Sequence, residues 1–120
     1  DSRQSRGLGD VYKRQTASTS LDIRLTSNVR SSSNVKVFFR IIGSDDDTTI
    51  DKVSWTAFNS DGSEDTSVTP AENDTTFNEY QYSVGNLKDF TTFQIKIELT
   101  GSISSYPPKI KDMRAIALAV

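Results

Sequence analysis

The side chains of this chain that could do chemistry are mostly carboxylates. Asp45, Asp46, Asp47 and Asp51 fall within "GSDDDTTID", and clustered carboxylates are what a hard cation such as Ca2+ takes as ligands. The run has no fixed ligand spacing, and adjacent like charges repel into solvent. The expectation is a solvated loop without metal. "FNSDGSED" raises the same question. Setting Gly62 on the glycine of an EF-hand loop puts Ala57 at the first ligand position and Val68 at the last, and neither can ligate. Two acids would suffice for glycoside hydrolysis. Here every acid sits in a turn or on a charged strand face, and nothing marks a cleft that would raise the pKa of one of them. With no Cys and no His, thiol nucleophiles, disulfides, imidazole bases and histidine metal sites have no residue to carry them. The expectation is a chain that is not an enzyme and takes no cofactor.

Aromatic residues offer a different kind of chemistry. Trp55, Tyr80, Tyr82 and Tyr106 could stack against a sugar ring, or serve as core or interface aromatics with a polar handle. Trp55 lies in an alternating stretch and reads as core. Tyr106, in the Pro-flanked "SSYPPK", fits either role. Phe38, Ile42 and Phe58 are apolar positions on otherwise polar strand faces, which marks them, with Tyr106, as the candidate interaction surface.

These residues must be positioned by strands, because alternation dominates the chain. "SLDIRLT" sets Leu21, Ile23 and Leu25 on one face and Asp22, Arg24 and Thr26 on the other, the period of a half-buried strand. "NVKVFFRII" continues with Val35, Val37, Phe39 and Ile41 against Lys36, Phe38, Arg40 and Ile42. Apolar residues on both sides predict partial cover on both faces. "KVSWTAFN" alternates through Val53, Trp55 and Ala57, and Asp61-Gly62 can reach the positive φ of a tight hairpin turn. Ser63 to Thr76 reads as a long loop with a short edge strand near Ser67 to Thr69. "FNEYQYSV" carries Tyr80, Tyr82 and Val84 at strand spacing. "FTTFQIKIELT" is the clearest strand, with Phe93, Ile95, Ile97 and Leu99 on one face. In "IKDMRAIALAV", Met113, Ala115, Ala117 and Ala119 oppose Arg114, Ile116, Leu118 and Val120. The small face predicts close packing and the larger face a filled core. Pro107-Pro108 immediately upstream and the lack of a capping residue favour strand over helix there. Asp112 and Arg114, two apart on one strand face, predict a surface pair, with a buried clamp on the last strand as the other reading.

Length suits one domain able to bury a core without metal or disulfide. No apolar run approaches the ~20 residues of a membrane helix. A formal net charge of −2 lacks the clustered cations that nucleic acid requires. Short strands separated by Ser, Asn, Gly and Asp turns predict an all-β fold, an antiparallel β-sandwich, jelly-roll-like, of about six to eight strands.

The first fifteen residues differ in character. They carry Arg3, Arg6, Lys13 and Arg14 against Asp1 and Asp10, and their apolar residues Leu8, Val11 and Tyr12 follow no period. "DSRQSRGLGDVYKRQ" resembles translated sequencing adapter found at the ends of proteins predicted from assembled environmental reads. That likeness implies that residues 1–15 are a non-native artefact or a disordered tail with no element. Residues 16–120 would then be a single β-sandwich domain, the C-terminal fragment of a longer protein.

The other end carries a second likeness. "FTTFQIKIELTGSISSYPPKIKDMRAIALA" resembles the C-terminal segment of virion structural proteins from tailed bacteriophages, marine and cyanobacterial ones above all. The matching residues are Phe93, Ile95, Lys96, Ile97, Pro108, Ile110, Lys111, Asp112, Arg114, Ile116, Ala117 and Leu118. Met113 stands where that pattern has an aromatic, and the loop before Pro108 is less rich in Asn. None of these residues does chemistry; they pack and turn. The resemblance implies a non-enzymatic tail-fibre or baseplate module in the virion, assembled in the host cytoplasm and packed against other virion subunits as a homo- or hetero-oligomer, without nucleic acid or membrane insertion. The alternative is a carbohydrate-binding module that recognises a host glycan.

Overall fold

The computed structural model describes residues 2–7, 12–43, 48–101 and 107–118, with residues 2–7 and 12–17 described by their backbone. Six strands follow Thr19: β3 (Ser20–Asn28), β4 (Ser33–Gly43), β5 (Thr56–Ala57), β6 (Asn78–Val84), β7 (Phe90–Gly101) and β8 (Lys109–Leu118). They form two antiparallel sheets of three strands, β7-β4-β5 and β6-β3-β8. Two earlier strands, β1 (Ser2–Gly7) and β2 (Tyr12–Ser18), pair with the remaining edge of β7 and widen its sheet to five. No α-helix occurs among the described residues.

The alternation read in the sequence sets the inner faces. Leu21, Ile23 and Leu25 of β3, Val35, Val37 and Phe39 of β4, Tyr80 and Tyr82 of β6, and Phe93, Ile95, Ile97 and Leu99 of β7 are all buried in one cluster shared by the two sheets. Phe58 links them. It is fully buried, edge-on to Phe39 at 4.8 Å and to Tyr82 at 6.0 Å between ring centroids. The Tyr82 hydroxyl is buried with no partner among the described residues. Burial, reinforced by the nearby charge of Glu64, pushes its pKa far above the ordinary phenol value.

The chain changes sheet between β3 and β4 through a short turn closed by Ser33 N–H donating to the Arg30 carbonyl at 2.9 Å. Asn28, buried at this corner, donates its amide to the carbonyls of Asn73 and Thr76 at 2.8 and 2.7 Å, which ties down the 71–76 loop. Gly62 adopts φ +86, the turn conformation its sequence promises. The turn does not close a hairpin, however. The Gly62 carbonyl accepts the Val37 N–H of β4 at 2.9 Å, and a Cβ at Gly62 would lie 2.9 Å from Lys36 Cβ.

Several expectations change. The backbones of residues 2–7 and 12–18 are strands, although their side chains follow no period. They pair with an edge of β7, with Ser2 opposite Gly101 and Tyr12 opposite Phe93. "KVSWTAFN" keeps only two strand residues, flanked by 3-10 turns at Ile50–Lys52 and Phe58–Ser60. The edge strand expected at Ser67 to Thr69 is absent. Instead Ala71 bridges to Arg30, its N–H donating to the Val29 carbonyl at 2.8 Å.

The faces of β8 are inverted relative to the sequence reading. Met113, Ala115 and Ala117 face inward, while Ile116 and Leu118 are 42% and 47% exposed. The register explains it: Leu21 lies opposite Ala117, Ile23 opposite Ala115 and Leu25 opposite Met113. The large side chains of β3 already fill the layer, so its neighbour supplies mostly small ones.

Candidate functional site

Among the described residues, the densest group of chemically capable side chains lies on the outer face of the five-stranded sheet. On β4 the outward positions are Lys36, Phe38, Arg40 and Ile42. Across the ladder, β7 sets Lys96 opposite Phe38 and Gln94 opposite Arg40. On the other side, β5 places Ala57 opposite Phe38, which brings Trp55, two residues earlier, over the same strip.

The geometry is specific. The Arg40 guanidinium lies 4.2 Å from the Trp55 ring centroid. Lys96 Nζ lies 4.6 Å from the Phe38 ring and 5.1 Å from Trp55. Each such cation–π contact contributes about 0.5–1 kcal/mol at an exposed site. Arg40 is further fixed: Nε and Nη2 donate to Gln94 Oε1 at 2.9 and 2.6 Å, and Nη1 donates to the Val53 carbonyl at 3.2 Å. The result is a strip of one indole, one phenyl, one fixed guanidinium and one ammonium, half-buried, with Ile42 further along β4.

The four residues singled out in the sequence fare differently. Phe38 and Ile42 lie on this outer face and are half-buried. Phe58 does not: it is fully buried between the sheets and leaves the candidate surface. Tyr106 lies outside the described residues. Trp55, expected in the core, is half-buried on the outer face, and Arg40, Gln94 and Lys96 were not foreseen as its partners. The signal for them was faint: apolar residues on both sides of "FFRII" foretold cover, without saying what would supply it.

No family model, no curated protein and no solved structure matches this chain. The strip must therefore be read from its own chemistry, together with the other places where polar groups converge.

A cavity of about 130 Å³ opens where the two sheets meet, lined by Val29, Arg30, Val35, Glu64, Val68 and Tyr80, among others. Ligand pockets are typically ~300–1,000 Å³, so this one suits a few waters. Arg30 there is engaged with Asp74 at 2.8 Å. Burial, and then the charge of Glu64, raises the Tyr80 pKa.

Among the described residues, Asp65 is the best-coordinated acid. Burial pulls its pKa up, but Ser83 Oγ, Asn59 Nδ2 and the Ser83 N–H all donate to the carboxylate and hold it below the usual range. Asp61, bonded by the hydroxyl and N–H of Ser63, is likewise lowered. Asp61 is bonded within its own turn, whereas Asp65 ties its loop to Ser83 of β6. Asp45, Asp46 and Asp47 lie outside the described residues and Asp51 is exposed. Among the described residues, no three acids gather as a metal site would need. Asp112 and Arg114 approach to 3.8 Å with both side chains more than half exposed, the surface pair rather than the buried clamp.

Proposed function

We propose that the chain is a non-enzymatic structural module of a tailed-phage virion, of tail-fibre or baseplate type, and that it packs against neighbouring subunits through the outer face carrying Phe38, Arg40, Trp55 and Lys96. The working domain is residues 16–120, a β-sandwich with jelly-roll-like winding. The nested pairing of β3 with β8 and of β4 with β7 supports that winding, since the chain changes sheet at every step from β3 to β8 except between β4 and β5.

The observation that carries the docking reading is the Trp55–Arg40 stack locked by Gln94. Trp and Arg are the residue types that most often dominate protein–protein contact energies. A guanidinium already held by three hydrogen bonds loses little further freedom when a partner arrives. The phage assignment itself rests on the likeness of residues 90–119 to the C-terminal segment of virion proteins.

The test is co-expression with the products of genes adjoining its own, read by co-elution and by thermal melting. Wild type co-elutes with a neighbouring structural subunit. Phe38→Ser and Trp55→Ala lose that association while melting within a few degrees of wild type. Undiminished association in both variants would refute the docking face. The carbohydrate alternative also rests on Trp55, but both cations lie against the ring that a sugar would need. A glycan-array signal abolished by Trp55→Ala would establish it instead.

A further inference from the structure

The cations of the outer strip keep different company from the other arginines. Arg24 lies 3.7 Å from Asp22 and 3.6 Å from Glu79, Arg30 lies 2.8 Å from Asp74, and Arg114 lies 3.8 Å from Asp112. Arg40 has no carboxylate beside it among the described residues. Its register partner on β7 is the neutral Gln94, and its hydrogen bonds go to that amide and to the Val53 carbonyl. Among the described residues Lys96 likewise approaches only rings, those of Phe38 and Trp55. Both cationic residues are half-buried, on a chain whose formal net charge is −2. A charge held partly out of water without an opposite charge is unfavourable until a partner supplies one.

Two features say what that partner carries. Three of the five guanidinium N–H groups of Arg40 are already donated, which leaves two for an incoming carboxylate. Lys96 lies opposite Phe38, and Arg40 stands two residues further along β4, a diagonal spacing of about 7–8 Å between the two positions. Alternate residues of an extended strand lie about 6.5 Å apart and point to the same side. We propose that the strip takes an extended acidic segment of a neighbouring subunit, with carboxylates two residues apart, one pairing with Arg40 and the other with Lys96. This inference rests on the docking reading of the same face and adds the chemistry of what docks. Nucleic acid fits less well. Glu98, the next outward residue of β7 after Lys96, sets a negative charge at one end of the strip, where a continuous run of phosphates would meet it.

Trp55 is the single tryptophan of the chain, so its emission reports from the strip itself. The probe is a heptapeptide alternating Thr and Glu, titrated into the 120-residue chain. Its Thr-Lys counterpart and a DNA oligonucleotide are titrated in parallel. The Glu peptide is expected to shift Trp55 emission saturably and to bind about tenfold or more tighter than either of the others. Lys96→Glu is expected to reverse the order of the two peptides. Lys109→Gln, on β8 of the other sheet, is expected to bind as wild type does. Unchanged circular-dichroism melts verify that the variants fold. A flat titration, equal affinity for the two peptides, an order kept in Lys96→Glu, an equal loss in Lys109→Gln, or tighter binding of DNA would each overturn the proposal. If one of these occurs while Trp55→Ala still loses the neighbouring subunit, the docking face stands without its acidic partner. If the subunit ignores Trp55→Ala, the docking face fails and this inference with it.

Discussion

Phe38 lies within β4 and Phe58 just after β5, yet the molecule uses these two aromatic residues in opposite ways. Phe58 is enclosed between the sheets and touches rings from each. It gains the full transfer energy of burial, and neighbours on every side depend on its volume. Phe38 lies on the outer face under Lys96, whose ammonium also reaches the Trp55 ring. Its burial is partial, and its neighbours are the stems and charges of other surface residues. The core position is thus expected to govern whether the protein folds, and the outer one what it touches.

That division can be broken most severely at Phe58. Phe58→Ala leaves a cavity shared by both sheets and is expected to cost about 3–5 kcal/mol, lowering the melting temperature by roughly 10–20 °C in a thermal scan. Next comes the turn that steers Phe58 inward. Gly62→Ala meets both a positive φ and Lys36 Cβ at 2.9 Å, and about 1–2 kcal/mol is expected in denaturant unfolding. Phe38→Ser is expected to cost about 1 kcal/mol or less, measured the same way, while abolishing subunit association. A loss as large as that of Phe58→Ala would erase the distinction between core and docking face.

The smallest effect is at Asp65. Its carboxyl pKa is depressed in the fold, so the stability it contributes is complete above the ordinary carboxylate pKa and fades as pH falls through the lowered value. Asp65→Asn is expected to flatten that part of the acid limb of the stability curve. An unchanged limb would mean the hydrogen bonds from Ser83 and Asn59 add nothing.

Strands with polar residues on one face and apolar residues on the other were legible. β3, β4 and β7 form where Leu21, Val37 or Ile95 alternate with charged neighbours, because only one arrangement buries the apolar set. Where both faces held apolar residues, period two gave the faces but not their direction. Around β5, Phe58 turns inward and Trp55 lies on the outer face. In β8 the Ala face turns inward and Ile116 outward. In both cases the choice is made by a neighbour strand far away in sequence: Phe39 pairs with Thr56, and Leu21 with Ala117. Local pattern carries no record of those registers. The Trp55–Arg40 stack was hidden for the same reason, since it depends on β5 folding back onto β4. Nor could the pairing of β1 and β2 be read, because it uses backbone groups that every residue shares.

The stranded hydroxyl of Tyr82 gives the protein a spectroscopic fuse. In the folded state that phenol keeps its proton well past the alkalinity at which an ordinary tyrosine gives it up. The unfolded chain lets it go near the usual value, so stability is intact below that point and drains away as the solution becomes more basic. In a base titration, phenolate absorbance from this ring emerges only as the two sheets separate, and the colour change itself times the opening of the core.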